Sequence, residues 1–212
     1  MAAFDLQEQE QIDALRAFWQ QWGRSLTVVL AAVLVGYLGW MGWKSYQLHQ
    51  TEAAATLYAQ FDTVLTQSDL SALEKAATPL KSAYPHSSYA ARASLVLARL
   101  AFEKNNLALA RSELTFVAEN TKDTSLLSMA RLRLAAISLD EKKYDAALAE
   151  LAKEHDAVFA AEFLDLKGDI LHAKGQIKPA RDAYREALAS LSPTAPIYPL
   201  IQIKLDALGA DS

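Results

Sequence analysis

Asp165 and Asp169 stand one helical turn apart, and Lys153-Glu154-His155-Asp156 is the densest polar cluster in the chain. Paired carboxylates, or a histidine beside an acid, are the side chains that acid–base chemistry or a metal ion would use. Asp140-Glu141 offers a third acidic pair. None of the three develops into a motif. His49, His86, His155 and His172 are scattered over different segments, and no H-E-x-x-H spacing joins any two of them. Lys167 and Lys174 follow Asp165 and Asp169 closely, as expected of ordinary charge patterning on a solvated helix face. Lys153–Asp156 reads as a solvated helix end. There is no G-x-S-x-G, P-loop or dinucleotide fingerprint. The absence of cysteine excludes disulfides, thiolate catalysis and Cys-type zinc sites. The expectation is a protein that is not an enzyme and holds no cofactor or metal.

The elements behind these residues are more informative. Ser25–Trp43, SLTVVLAAVLVGYLGWMGW, has no charge and is closed by Arg24 and Lys44. As a helix rising 1.5 Å per residue it is roughly 28 Å long, close to the hydrocarbon thickness of a bilayer. Tyr37, Trp40 and Trp43 crowd its end, where aromatic rings suit the headgroup boundary. A buried core helix would show a polar edge, and this one has none. A signal peptide would need a basic leader, but Asp5, Glu8, Glu10 and Asp13 outnumber Arg16 and Arg24. The small-residue run Ala53-Ala54-Ala55 lies too far beyond the apolar stretch to be its cleavage site. Residues 25–43 are therefore expected to be a retained single transmembrane helix. Within it, Ala32, Gly36, Gly39 and Gly42 could let another membrane helix approach closely.

Residues 1–24 form a tail, read as a short amphipathic helix over 4–22. Ile12, Leu15, Trp19 and Trp22 recur along one edge that could rest on lipid or contact a partner. Arg16, Arg24 and the terminal amine outnumber Lys44, which by the positive-inside rule leans the tail toward the cytoplasm.

Residues 44–212 carry both charge signs intermixed, with no basic stripe of the kind nucleic acid requires. Ala, Leu, Glu, Lys and Arg dominate and strand-like alternation is missing, so the class is all-α. No Gly or Pro interrupts Lys44–Gln67, and the membrane helix is expected to run on into the first helix of this domain. Ser71, with Glu74 three residues on, is a candidate N-cap for a helix to Ala83, which Pro79 should bend or divide. Further helices are expected near 89–104, 107–120, 125–142, 144–155, 160–174, 177–190 and 197–208, the last stopped by Gly209.

Three blocks repeat: LVLARLAFEKNNLALARSEL from Leu95, LRLAAISLDEKKYDAALAEL from Leu132 and DLKGDILHAKGQIKPARDAY from Asp165. A small residue falls at Ala98, Ala135 and Gly168, and an alanine twelve positions later at Ala110, Ala147 and Ala180. Their spacings of 37 and 33 residues bracket the 34 of a tetratricopeptide repeat. Two antiparallel helices approach closely only where side chains are small. Leu114, Leu151 and Tyr184 fill the space four residues after the second alanine. The last block also has Gly175 and Ala187 in phase. The expected architecture is a right-handed tetratricopeptide-like solenoid with pairs near 46–84, 88–120, 125–155 and 160–191 and a capping helix at 197–208. Tyr58, Phe61, Tyr84, Tyr89 and Phe102 could line its groove or its core.

With these parts in place, the chain resembles the YfgM family, the ancillary subunit of the bacterial SecYEG translocon. The resemblance covers nearly the whole chain. It rests on EQEQIDALRAFWQQWG at Glu8–Gly23, the single span, the repeats and the ending PLIQIKLDALG at Pro199–Gly209. It implies an inner-membrane protein with a cytoplasmic N-terminus and a periplasmic C-terminal domain. The implied partners are the SecYEG translocon, a membrane-anchored periplasmic peptidyl-prolyl isomerase of chaperone type, and newly exported polypeptides. The rival expectation is an envelope scaffold that coordinates cell-wall or outer-membrane assembly without exported clients.

Overall fold

A computed structural model describes residues 2–66 and 69–209, with side chains described at Gln11 and from Leu15 onward. Among the described residues the regular structure is entirely helical. The first helix, α1, is Ala2–Leu65. The tail is therefore not a separate short helix. Gly23 sits inside α1, where a Cβ would meet the Trp19 ring at 3.3 Å, so the glycine leaves room for the indole. The chain divides into two compact units, Met1–Thr51 and Glu52–Ser212.

In the first unit the large side chains from Leu15 to Leu48 are exposed. One stretch of α1 is long and apolar enough to cross a membrane.

In the second unit α2 is Leu70–Ala83. Its cap is Asp69, whose carboxylate accepts the Ser71 N–H at 3.0 Å. Ser71, expected as the cap, lies inside the helix. A carboxylate is a strong N-cap acceptor, and starting earlier brings Leu70 against the core. Pro79 does not divide α2, which continues to Ala83.

The remaining helices are α3 (Ser88–Glu103), α4 (Leu107–Asn120), α5 (Thr124–Asp140), α6 (Tyr144–Leu151), α7 (Ala160–Ala173), α8 (Ile177–Ala189) and α9 (Tyr198–Ala207). α3 packs on α4, α5 on α6 and α7 on α8, as antiparallel hairpins with short turns. Successive hairpins join through α4 with α5 and α6 with α7, and first helix meets first helix at α3–α5 and α5–α7. α6 stops at Leu151, short of the expected His155. The reason is Asp156, which accepts the Val158 N–H at 3.1 Å and starts a 3₁₀ turn at Ala157–Phe159. Its own N–H reaches the Ser128 hydroxyl at 2.8 Å, pulling the chain back onto α5.

Three first helices end in the same way. Asn105, Lys142 and Gly175 each follow the small crossing residue by seven positions, with φ of 59°, 59° and 80°. The next N–H then reaches back five residues: Asn106 to Ala101, Lys143 to Ser138 and Gln176 to Leu171, at 2.8, 2.8 and 2.9 Å. This left-handed closure satisfies helix-end carbonyls and turns the chain into the second helix. Only the third copy uses the residue best suited to it. Lys142→Gly is therefore expected to stabilise the domain by about 1 kcal/mol, and Gly175→Ala to destabilise it by a similar amount. Thermal unfolding of the full chain in detergent checks both.

Candidate interaction surface

The small residues of the three hairpins lie at their crossings. Ala98, Ala110 and Leu114 are buried in one core cluster, and Ala135, Ala147 and Leu151 in a second. Ala180, Tyr184 and Ala187 belong to a third with Leu171 and Ile201. Gly168 faces Tyr184 so closely that a Cβ would come within 2.6 Å of the ring Cδ1. Gly175 is different. It is exposed, with nothing among the described residues within 4 Å of a would-be Cβ, and it serves the turn rather than the packing.

The carboxylates Asp165 and Asp169 are not ordinary surface charges. Lys204 of α9 donates to both Asp165 oxygens at 2.8 and 2.9 Å and to Asp169 Oδ2 at 2.8 Å. The Tyr184 hydroxyl donates to Asp169 Oδ1 at 2.7 Å. One network thus ties α7, α8 and α9 together. Lys174, expected beside Asp169, pairs instead with Asp145 of α6. The signal for Lys204 lies 39 residues from Asp165, beyond any local pattern.

Burial raises the Asp165 pKa from its ordinary value, against the opposing hydrogen bond from Lys204. Burial alone would lower Lys204, but its hydrogen bonds to Asp165 and Asp169 outweigh this and raise it. Tyr184 is raised by burial first, then by its bond to Asp169. Tyr184 and Lys204 hold their protons more tightly folded than unfolded. Their contribution is complete below the unfolded values of 10.0 and 10.5 and is lost as pH rises through the folded values. Asp165 is also raised, so that group favours the folded state most at low pH. The melting temperature should therefore fall above about pH 10, and Tyr184→Phe should flatten that decline. Melting curves of the full chain between about pH 8 and pH 11 test this.

The polar cluster at 153–156 is structural in detail. Lys153 pairs with Glu150. His155 stacks on Phe163 with ring centroids 3.9 Å apart and planes 11° from parallel. Asp156 accepts the Ser125 hydroxyl at 2.9 Å, and the Val158 N–H followed by that hydroxyl lowers its pKa. Among the described residues no three His, Asp or Glu side chains gather in a metal-binding arrangement.

Two apolar recesses open beside first helices. One, of about 450 Å³, lies between α6 and α7 and is lined by Leu148, Leu151, Phe163, Leu164 and Leu171, with His155 and Lys167 at its edge. The other, of about 220 Å³, lies between α3 and α5 and is lined by Ala98, Phe102, Leu114, Ala136 and Ile137, with Arg99 and Arg133. Of the five aromatics left open between core and groove, Phe61 is fully buried. Tyr58 and Tyr89 pack with it, their own centroids 5.5 Å apart, and Tyr84 is half-buried against the same cluster. Phe102 alone of the five is strongly exposed, at 46%. In α1, Leu15, Trp19 and Trp22 are exposed, and among the described residues nothing lies within 4 Å of a would-be Cβ at Gly36, Gly39 or Gly42. Ala32 is exposed among them. The Ile12 side chain lies outside the described residues.

Helical hairpins stacked through small residues, apolar recesses on the first helices and one helix able to span a bilayer define a tetratricopeptide-like interaction protein with a candidate membrane anchor. The family model described as a tetratricopeptide repeat-like domain matches residues 16–210. The ancillary SecYEG translocon subunit of Neisseria gonorrhoeae is 32% identical over 207 residues, covering 97% of this chain and 99% of that protein. Those of Haemophilus influenzae and Escherichia coli are each 30% identical, over 89% and 95% of this chain and 92% and 96% of theirs. The chain belongs to the family of ancillary SecYEG translocon subunits.

Proposed function

We propose that this protein is a non-enzymatic ancillary subunit held in the inner membrane beside the SecYEG translocon. Residues 25–43 span the bilayer, residues 1–24 lie in the cytoplasm, and the repeats from residue 44 onward lie in the periplasm. There they bind newly exported polypeptides and a membrane-anchored peptidyl-prolyl isomerase of chaperone type. The observation that carries this reading is the likeness to translocon subunits over nearly the full length, with tail and apolar stretch included. An anchor confines the search for partners to two dimensions and raises the local concentration of the repeat domain. Client binding is weak and reversible, because ordering a flexible segment consumes interaction energy. The face bearing Ala32, Gly36, Gly39 and Gly42 is where a membrane helix of the partner would pack, since small residues allow close backbone approach.

The test is purification of the full chain from membranes in mild detergent through a C-terminal tag. The translocon subunits should co-purify, and Gly36→Leu with Gly39→Leu should reduce their recovery several-fold. Recovery of wall-synthesis enzymes without any translocon subunit would replace this reading with the scaffold alternative. Protease treatment of intact and osmotically opened cells tests the topology: the repeats should be cut only after opening.

A further inference from the structure

We propose that the recess between α3 and α5 docks extended polypeptide segments carrying a carboxylate beside a bulky apolar side chain. This rests on the reading of the repeat domain as a surface for other chains, and says which part binds and what it selects. The floor of the recess is apolar, formed by Ala98, Leu114, Ala136 and Ile137 beside the exposed Phe102 ring. Arg99 and Arg133, from successive first helices, line the same recess.

The two guanidinium groups are poorly compensated. Arg133 is half-buried and donates to the Leu95 carbonyl at 3.3 Å, and among the described residues it has no ion pair. Burial and the nearby Arg99 charge both lower its pKa from the ordinary arginine value. Among the described residues Arg99 meets a carboxylate only at Glu103, one turn along its own helix, in an exposed contact of 3.5 Å. Exposed pairs of that kind are weak and easily exchanged. An incoming carboxylate placed between the arginines would relieve their repulsion and receive charge-assisted hydrogen bonds from planar donors. An apolar side chain next to it would cover Phe102 and displace water from the floor.

Two other polar places beside the first helices lack this combination. Asp165 and Asp169 are already satisfied by Lys204, and the α6–α7 recess has one lysine and a histidine stacked on Phe163.

The test is selection of a displayed library of random decapeptides on the full chain in nanodiscs. Enriched sequences should place Asp or Glu within two residues of Leu, Ile, Met or Phe. For a fluorescent peptide of that kind, exchanging its acid for the amide should weaken binding about tenfold. Arg99→Gln with Arg133→Gln should abolish that difference, and Phe102→Ser should weaken both peptides alike. Arg99→Gln alone, at an exposed side chain that leaves the fold intact, should already reduce the difference. Enrichment of apolar peptides without an acid, or an acid preference that survives the double substitution, would overturn the inference and leave polypeptide binding standing. Failure of the wild-type chain to enrich any peptide would overturn both. Arginine-dependent binding to phosphatidylglycerol vesicles over phosphatidylcholine vesicles, with no peptide preference, would overturn it in favour of a lipid headgroup.

Discussion

Gly168→Ala is expected to destabilise the repeat domain by about 2 kcal/mol, within the range for overpacking a close-packed core. The new methyl group would overlap the Tyr184 ring. That ring cannot step aside easily, because it is fully buried and its hydroxyl is held by Asp169. The same crossing carries alanine in the other two hairpins, at Ala98 and Ala135. There the residue sixteen positions on is Leu114 or Leu151 rather than tyrosine. Glycine is thus required by its partner and not by the helix, where it costs about 1 kcal/mol relative to alanine. Tyr184→Leu alone should also destabilise, by about 2 kcal/mol or more, through lost ring volume and the lost bond to Asp169. Combined, Gly168→Ala and Tyr184→Leu rebuild the alanine–leucine pairing of the earlier hairpins. The double variant should then be more stable than the sum of the single changes predicts, by about 1 to 2 kcal/mol. Chemical unfolding of the four proteins measures this directly. Strict additivity would mean that Gly168 and Tyr184 do not limit each other.

Lys81→Ala is expected to be more damaging, at about 3 to 5 kcal/mol and a melting temperature lower by roughly 10 °C. Lys81 of α2 donates to both oxygens of Glu113 of α4, at 2.6 and 2.8 Å, and lies over the Phe116 ring at 4.8 Å. The Glu113 side chain is only 3% exposed. Removing the lysine therefore leaves a carboxylate out of water with its counter-charge gone. The pair itself need not be a large net gain, since taking both charges out of water is expensive. Lys81→Met with Glu113→Met should accordingly recover most of the lost stability. Thermal unfolding of single and double variants separates the two effects, and equal losses in both would show that the pair itself is a large net gain.

These two sites also show what the sequence could and could not convey. Helix positions were readable because apolar periodicity, turn residues and the recurring small-to-alanine interval of twelve positions are local signals. The observed α4, Leu107–Asn120, coincides with its expected span. The cap of α2 was misplaced by two residues because Asp69 and Ser71 are both good caps, and the choice depends on how Leu70 packs. The end of α6 was missed because Asp156 is claimed by Ser125 and Ser128, on another helix. Asn105 and Lys142 gave no glycine signal, although they adopt the backbone conformation that Gly175 announces. The polar ties were the least legible. Lys204 meets Asp165, and Lys81 meets Glu113, across 39 and 32 residues, so no local pattern announces either tie, and at Asp165 and Asp169 charge patterning suggested a solvated face where the fold had enclosed them. For Phe102 the sequence left groove and core both open, and only the packing of α3 and α5 decides it, leaving the ring exposed beside their recess.

The most direct test of a membrane-held repeat surface that receives other chains is site-specific photocrosslinking in intact cells, comparing positions on first and second helices. Crosslinks to translocon subunits or to chains in transit should arise from Arg99, Phe102 and Ala136, and be absent or several-fold weaker from Ser112, Glu119 and Lys178. Equal capture from both sets, or capture from the second helices alone, would contradict the account.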